Sequence, residues 1–245
     1  MTYLVTIPAY NEAGIIGHTL EEVSSFLEKT FPNLIQENQI KICVAINGST
    51  DETEEIVKQF RSKIPYITYT VTIEKGRGAA LSNTWKDAAE DILLYIDSDL
   101  AYSLDDLKSM ISAYKENSDC DLAVASRRVK GSIVVRSPVR TVLTEGYNCL
   151  IKLLFLNKFT DAQSGCKSIR RTVYRELRDK VCIYKGWFFD TALLIYAEKR
   201  GYVIQDLRIT CIDNRKWRLS IFRTVLYFLR RLMALRVKTW FVGYR

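Results

Sequence analysis

Short β-branched runs alternate with segments of helical spacing along this chain, and that alternation leaves few folds open. Tyr3 to Ile7, Ile40 to Ile46, Tyr66 to Ile73, Asp91 to Ile96 and Asp121 to Ala125 read as strands, while segments near 13 to 29, 51 to 62, 78 to 90 and 104 to 115 read as amphipathic helices. Strand and helix in turn make βαβ units, so the expected fold class is α/β, a mostly parallel sheet flanked by helices. The 245 residues, 48% hydrophobic and 26% charged, suit one large domain and exclude a disordered or collagen-like chain. No repeat or Pro/Gly/Ser linker divides the chain. The expected organisation is a domain over 1–218 and a tail over 219–245.

Charge sets the tail apart. The net charge is +8, and residues 203 to 245 alone hold ten Lys/Arg against two Asp. A second basic stretch, Arg127 to Lys158, holds seven cations against Glu145. Basic segments on a neutral body suit a polyanionic surface, membrane or nucleic acid. The six cysteines show neither CxxC nor metal-ligand spacing, which points to a reducing cytosol. Neither a signal peptide nor an uncharged apolar run of about 18 residues is seen, so the expected location is cytoplasmic, without a transmembrane helix.

In a parallel sheet, ligands bind beyond the carboxyl ends of the strands. The first strand ends in Pro8-Ala9-Tyr10-Asn11-Glu12 and the second in Asn47-Gly48-Ser49-Thr50-Asp51-Glu52-Thr53. The third ends in Glu74-Lys75-Gly76-Arg77-Gly78, where two glycines allow a ligand close to the backbone and a helix start attracts anions. This is no dinucleotide fingerprint, because Leu81 stands where a third small residue belongs. The buried strand Ile92 to Ile96 runs into Asp97-Ser98-Asp99. Carboxylates two apart at a strand end can converge on a hard divalent cation that holds a diphosphate; the competing reading is that Asp99 caps the next helix.

Taken in order, these motifs resemble the nucleotide-sugar-binding half of family-2 glycosyltransferases of the GT-A (Rossmann-like) type. Ser137-Pro138-Val139-Arg140, the apolar helix after it, Asp161-Ala162-Gln163-Ser164-Gly165-Cys166-Lys167 and Trp187-Phe188-Phe189-Asp190 are similar to the dolichyl-phosphate glucosyltransferase and mannose synthase branch. The resemblance implies that Pro8, Ala9, Tyr10 and Glu12 surround the base and ribose, and that Lys75, Gly76 and Arg77 lie near the nucleotide. It implies Asp97, Ser98 and Asp99 at the diphosphate, with Mg2+ or Mn2+ on Asp97 and Asp99, and Arg127 beside the sugar. Asn47 replaces a usual carboxylate; its side-chain oxygen can still accept from a base N–H.

The function expected from this resemblance is metal-dependent, inverting transfer of a hexose, glucose from UDP-glucose or alternatively mannose from GDP-mannose, to a polyprenyl or dolichyl phosphate. A phosphate acceptor is largely ionised at neutral pH and needs no base, whereas a hydroxyl does. Asp190 is the candidate base, because the one histidine, His18, reads as a surface residue. Arg127, Arg136, Arg140 and Lys167 are the expected acceptor-phosphate ligands, since guanidinium forks suit phosphate. Arg140, Thr144, Asn148 and Lys152 form a polar stripe on an otherwise apolar helix. In the tail, Phe222, Val225, Leu226, Leu229, Leu232 and Met233 form an apolar face, with Arg223, Arg230 and Arg231 off its centre and Trp217 and Trp240 near the ends. A basic amphipathic C-terminal helix of this kind suits peripheral attachment to an anionic membrane surface, or docking onto the domain or a second subunit. A transferase acting on a glycan or lipid hydroxyl is the enzyme alternative. A nucleic-acid-binding protein is the non-enzyme alternative, disfavoured because no RNA module is matched, so no nucleic-acid partner is expected.

Overall fold

A computed structural model describes residues 1–213 and 221–241. Trp217, the boundary expected at 218/219 and the residues beyond 241 lie outside the described residues, as do the side chains of Phe222 and Trp240. The chain runs β1 (Tyr3–Ala9), α1 (Ile16–Thr30), α2 (Pro32–Gln36), β2 (Ile40–Asn47), α3 (Thr53–Lys63), β3 (Ile67–Thr72), α4 (Arg77–Trp85), β4 (Ile92–Ile96), α5 (Leu104–Glu116) and β5 (Leu122–Ser126). It continues with β6 (Ile133–Val135), α6 (Pro138–Phe155), β7 (Cys166–Arg170), α7 (Arg171–Val181), α8 (Phe188–Lys199), β8 (Ile204–Arg208), β9 (Thr210–Ile212) and α9 (Ile221–Phe241).

Seven strands form one sheet in the order β3-β2-β1-β4-β7-β5-β8. All neighbours are parallel except β7, which runs antiparallel between β4 and β5, pairing Tyr95 and Val124 with Lys167. The expected mostly parallel, helix-covered GT-A sheet is therefore present. Strand alternation splits the core into two layers. Ile92, Leu94 and Ile96 face α1 and α5, whereas Leu93 and Tyr95 face the layer built on α4, α7, α8 and part of α6 and α9.

Two helices differ from their sequence reading in an informative way. On α6 the middle of the polar stripe turns inward: Thr144 and Asn148 are buried beside Ile151 and Phe155, while Lys152 is exposed and Val142 and Leu153 are about 70% exposed. Asn148 repays its burial by accepting from Ala162 N–H and donating to Thr144 O. The apolar face read on α9 is split. Phe228, Leu232 and Leu235 bury a stripe against the domain, and Val225, Leu226, Leu229 and Met233 stay exposed. Among the described residues, no helix is long and apolar enough to cross a membrane.

Candidate active site

The carboxyl ends of β1, β2 and β4 meet along one edge, and the loops there are laced by short polar side chains. Asn11, with a positive φ of 52°, donates its N–H to Ser49 Oγ at 3.0 Å and accepts from Thr50 N–H at 2.8 Å. Glu12 N–H donates to Thr53 Oγ1, and Ala13 N–H to Asp51. The first two strand-end clusters thus form one platform. Tyr10 stands exposed on it, with Lys75 Nζ 2.9 Å from its hydroxyl and 5.0 Å from its ring centroid. Pro8 and Ala9 line its base, and exposed His18 lies on the outer side of α1.

Asn47 does not serve the role expected of it. Its side chain is spent inside the protein, donating to Ala9 O and accepting from Gly76 N–H, both at 2.9 Å. It pins the Gly76 turn to the end of β1 rather than offering an acceptor to a base. The glycines of that turn likewise receive protein. A Cβ on Gly76 would lie 2.4 Å from Lys185 O, and one on Gly78 2.1 Å from Tyr184 O. Ala79 N–H, at the start of α4, is taken by Lys185 O at 2.8 Å. Gly76 therefore acts through its shape, by letting the 184–186 loop close over α4, and not as a nucleotide contact through its amide.

At the end of β4 lies a compact charged cluster. Arg77, the first residue of α4, donates to Asp97 Oδ1 and, at 3.3 Å, to Asp190 Oδ2 in the first turn of α8. Its guanidinium carbon lies 5.6 Å from the Tyr95 ring centroid and 5.7 Å from that of Trp187. Asp190 Oδ1 accepts from the Tyr95 hydroxyl and from Lys167 Nζ at 3.4 Å. Lys167 also donates to the Tyr95 hydroxyl and to Ser164 O. Burial pushes the Asp97 carboxyl up to about 6, against the pull of Arg77 and with the charges of Asp99 and Asp190 adding. Burial also pulls the Lys167 ammonium below the usual lysine range, with Asp190 opposing.

Lys167 is corrected by this arrangement. Its side chain is 2% exposed beneath Asp190, so it positions that carboxylate and cannot greet an acceptor phosphate. The competing reading of Asp99 also falls: α5 is capped by Ser103 in a capping box with Asp106, leaving Asp99 to accept from Ala101 N–H in its own turn. Asp97 and Asp99 fit a divalent cation. Both are hard oxygen donors, and Gly165 clears space at Asp97, since a Cβ there would sit 2.0 Å from Oδ2. Two carboxylates leave the remaining positions to diphosphate oxygens and water; among the described residues no group of three or more His, Cys, Asp or Glu is arranged as a metal cage.

The three arginines divide into two that are spent and one that is not. Arg127 grips buried Asp161 with two bonds, at 2.7 and 2.8 Å. Burial works against the Asp161 carboxylate, but this guanidinium holds it below the usual range. Arg140 pairs with Asp213. Arg136 donates Nη1 to Thr144 Oγ1 at 3.3 Å, yet its buried Nε has no partner among the described residues. Arg127 and Arg140 are thus internal pairs rather than open phosphate ligands, and Arg136 keeps donor capacity. Asp161, Tyr95, Tyr102 and Trp187 were given no role by the sequence reading. Tyr102 links the arginines to the charged cluster, because its hydroxyl accepts from Gly165 N–H beside Asp97.

A polar platform, a strand-end carboxylate pair and a buried acid thus gather at one edge of a GT-A sheet. The glycosyl transferase family 2 model matches residues 4–178, and the chain belongs to that family. It is 29% identical to glycosyltransferase AglD of Haloferax volcanii over 91% of this chain and 35% of that one. It is 29% identical to dolichyl-phosphate beta-glucosyltransferase of Drosophila melanogaster over 86% of this chain and 68% of that one. The chain thus spans about a third of the first relative's length and two thirds of the second's. Its fold matches glucosyl-3-phosphoglycerate synthase from Mycobacterium tuberculosis at a TM-score of 0.67 and 18% identity, covering 97% of this chain and 79% of that one, in a complex with Mn2+, UDP-glucose and phosphoglyceric acid. Another complex of that enzyme, with a TM-score of 0.65, holds Mn2+, UDP-glucose and glycerol 3-phosphate. Both complexes of that enzyme hold Mn2+.

The expected acceptor is corrected here. The solved structures sharing the fold hold phosphoglyceric acid or glycerol 3-phosphate, small phosphorylated molecules, where a polyprenyl or dolichyl phosphate was anticipated.

Proposed function

We propose that the protein transfers glucose from UDP-glucose to a hydroxyl of a small anionic acceptor, with Mn2+ or Mg2+ held by Asp97 and Asp99. The observation that carries this reading is the cluster of Arg77, Asp97 and Asp190 at the end of β4. The cation, when bound, neutralises charge that builds on the leaving diphosphate. Tyr10, Glu12 and Lys75 line the nucleotide end. Asp190, its side chain 2% exposed, would take the acceptor hydroxyl's proton through Oδ2 only once Arg77 has moved off that oxygen, with Tyr95 and Lys167 fixing the other. Arg136 would hold the acceptor's anionic group. A transfer assay with labelled UDP-glucose and Mn2+, against glycerol 3-phosphate, phosphoglyceric acid and uncharged glycerol, tests the reading. EDTA-sensitive product with the two anions is expected; product with glycerol alone, or none with any, would discard the anionic acceptor.

We also propose that the outer faces of α6 and α9 attach the protein to an anionic membrane surface. Val139, Val142 and Leu153 on α6, with Leu226, Leu229, Met233 and Val237 on α9, stand exposed. The α9 sequence contains no Asp or Glu, and Arg223, Arg230 and Arg231 flank a groove of about 570 Å³ beside Leu226. Apolar residues rimmed by cations suit an anionic interface. Flotation with anionic but not neutral vesicles is expected; flotation with neither removes the reading.

A further inference from the structure

We propose that Arg77 is a resident counter-cation of the donor site, which holds Asp97 until a nucleoside diphosphate arrives and then releases it to the metal and turns to the phosphate oxygens. The inference rests on the donor reading above and adds an order of binding to it: the cation enters well only with the nucleotide.

The geometry carries the argument. Arg77 occupies the place where a cation is needed, with one arm of its fork on Asp97 and the other on Asp190. Its side chain is 17% exposed and Asp97's 28%, so the pair is partly shielded from water and its charges are felt strongly. Asp97 itself is fixed from behind, its N–H bonded to Gly165 O at 3.0 Å. A divalent cation that comes alone meets a positive guanidinium already seated on its ligand. A metal accompanied by a diphosphate brings negative charge that can draw the guanidinium away, and a planar two-pronged fork matches phosphate oxygens as well as it matches carboxylates. The motion required is small, because Arg77 starts α4 at the strand-end edge and its outer neighbour is Trp187, a half-exposed ring at the lip of the site. Asp190 Oδ2, whose one partner among the described residues is Arg77, is uncovered by the same exchange.

The test is a Mn2+ titration of the full chain, read by the electron paramagnetic resonance of free Mn2+, with and without UDP. Arg77→Gln should bind Mn2+ alone about tenfold tighter than the parent, within the usual range for coupled sites, and should gain less from added UDP. Arg77→Lys keeps a charge that cannot bridge two carboxylates, and should fall between the two. Tryptophan emission should change when UDP and Mn2+ are added together, and that change should vanish in Trp187→Phe. Parent-like or weaker Mn2+ binding by both folded Arg77 variants overturns the proposal; if Arg77→Gln does not fold, Arg77→Lys decides alone. Tighter Mn2+ binding by the variants with no effect of UDP on any protein would uphold the role of Arg77 and discard UDP as the donor nucleotide.

Discussion

The Arg77 guanidinium closes over the Asp97 carboxylate at the end of β4, although the two residues lie on different elements and 20 positions apart. Asp97 is therefore both a candidate metal ligand and one half of a shielded ion pair. Replacing it with Asn should cut transfer by about a hundredfold or more, the usual loss for one preorganised electrostatic contact. The fold should survive, since burial already disfavours the charged carboxyl. Steady-state rates with a parallel thermal melt check this; near-parental turnover would remove Asp97 from the metal site.

Two aspartates, one partly shielded and one buried, should give opposite pH signatures in the metal-free protein. Asp97 rises from 3.8 to about 6 on folding, so the folded state holds its proton more tightly. Its contribution to stability is complete below about pH 4 and is lost as pH rises through 6. Asp161 is lowered, so its contribution is present above its unfolded value of 3.8 and is lost as pH falls through its lower folded value. Denaturant melts across this range should lose the first slope in Asp97→Asn and the second in Asp161→Asn.

Arg127 and Arg136 should separate stability from acceptor binding. Arg127→Ala strands the Asp161 carboxylate, which is 0% exposed, and breaking such a pair costs about 3–5 kcal/mol. Arg136 has an unpartnered buried Nε and faces Arg127, so Arg136→Ala should leave the melting temperature level or higher. Its expected effect is a raised KM for the anionic acceptor with little change in KM for UDP-glucose. The opposite assignment of the two phenotypes would return Arg127 to the acceptor site.

Gly165→Ala is expected to act on Asp97 rather than on the fold. The new methyl would lie 2.0 Å from Asp97 Oδ2, and the side chain can yield where backbone could not. Weaker Mn2+ binding in the presence of UDP, with a nearly unchanged melt, is the outcome to look for. Unaltered Mn2+ affinity would show that Asp97 has slack.

On α9 the two faces should respond differently. Leu232→Ala opens a cavity at a fully buried site and should cost about 2–5 kcal/mol. Leu229→Glu with Met233→Glu alters exposed positions and should leave stability within about 0.5 kcal/mol, while abolishing flotation with anionic vesicles. Flotation that survives the double change would move the contact to α6.

The parallel half of the fold was legible because each strand and helix there carries its own period, and polar residues follow the strands on one edge. That rule located Tyr10, Lys75, Arg77, Asp97 and Asp99. It failed at β7. An antiparallel strand delivers the residues before it, not after it, to the same edge, so Asp161, Ser164 and Gly165 arrived unassigned and Lys167 was placed a layer too far out. Periodicity also cannot tell which stripe of α6 faces inward when the polar one is satisfied by Ala162 N–H and Arg136. Pairings such as Arg127 with Asp161 join residues 34 apart and leave no local mark.

The inward face of α6 touches both Arg136 and the neighbour of Asp190. Thr144 accepts from Arg136, and Tyr147 shares a hydrogen bond of 2.8 Å with Thr191, the neighbour of Asp190. These anchors lie three positions apart, an axial step of about 4.5 Å on a helix. A continuous helix keeps that step when the loops around it move. Arg136 and the α8 turn that carries Asp190 are thus tied to one rod, so a substitution that shifts α6 would displace the two together rather than one at a time.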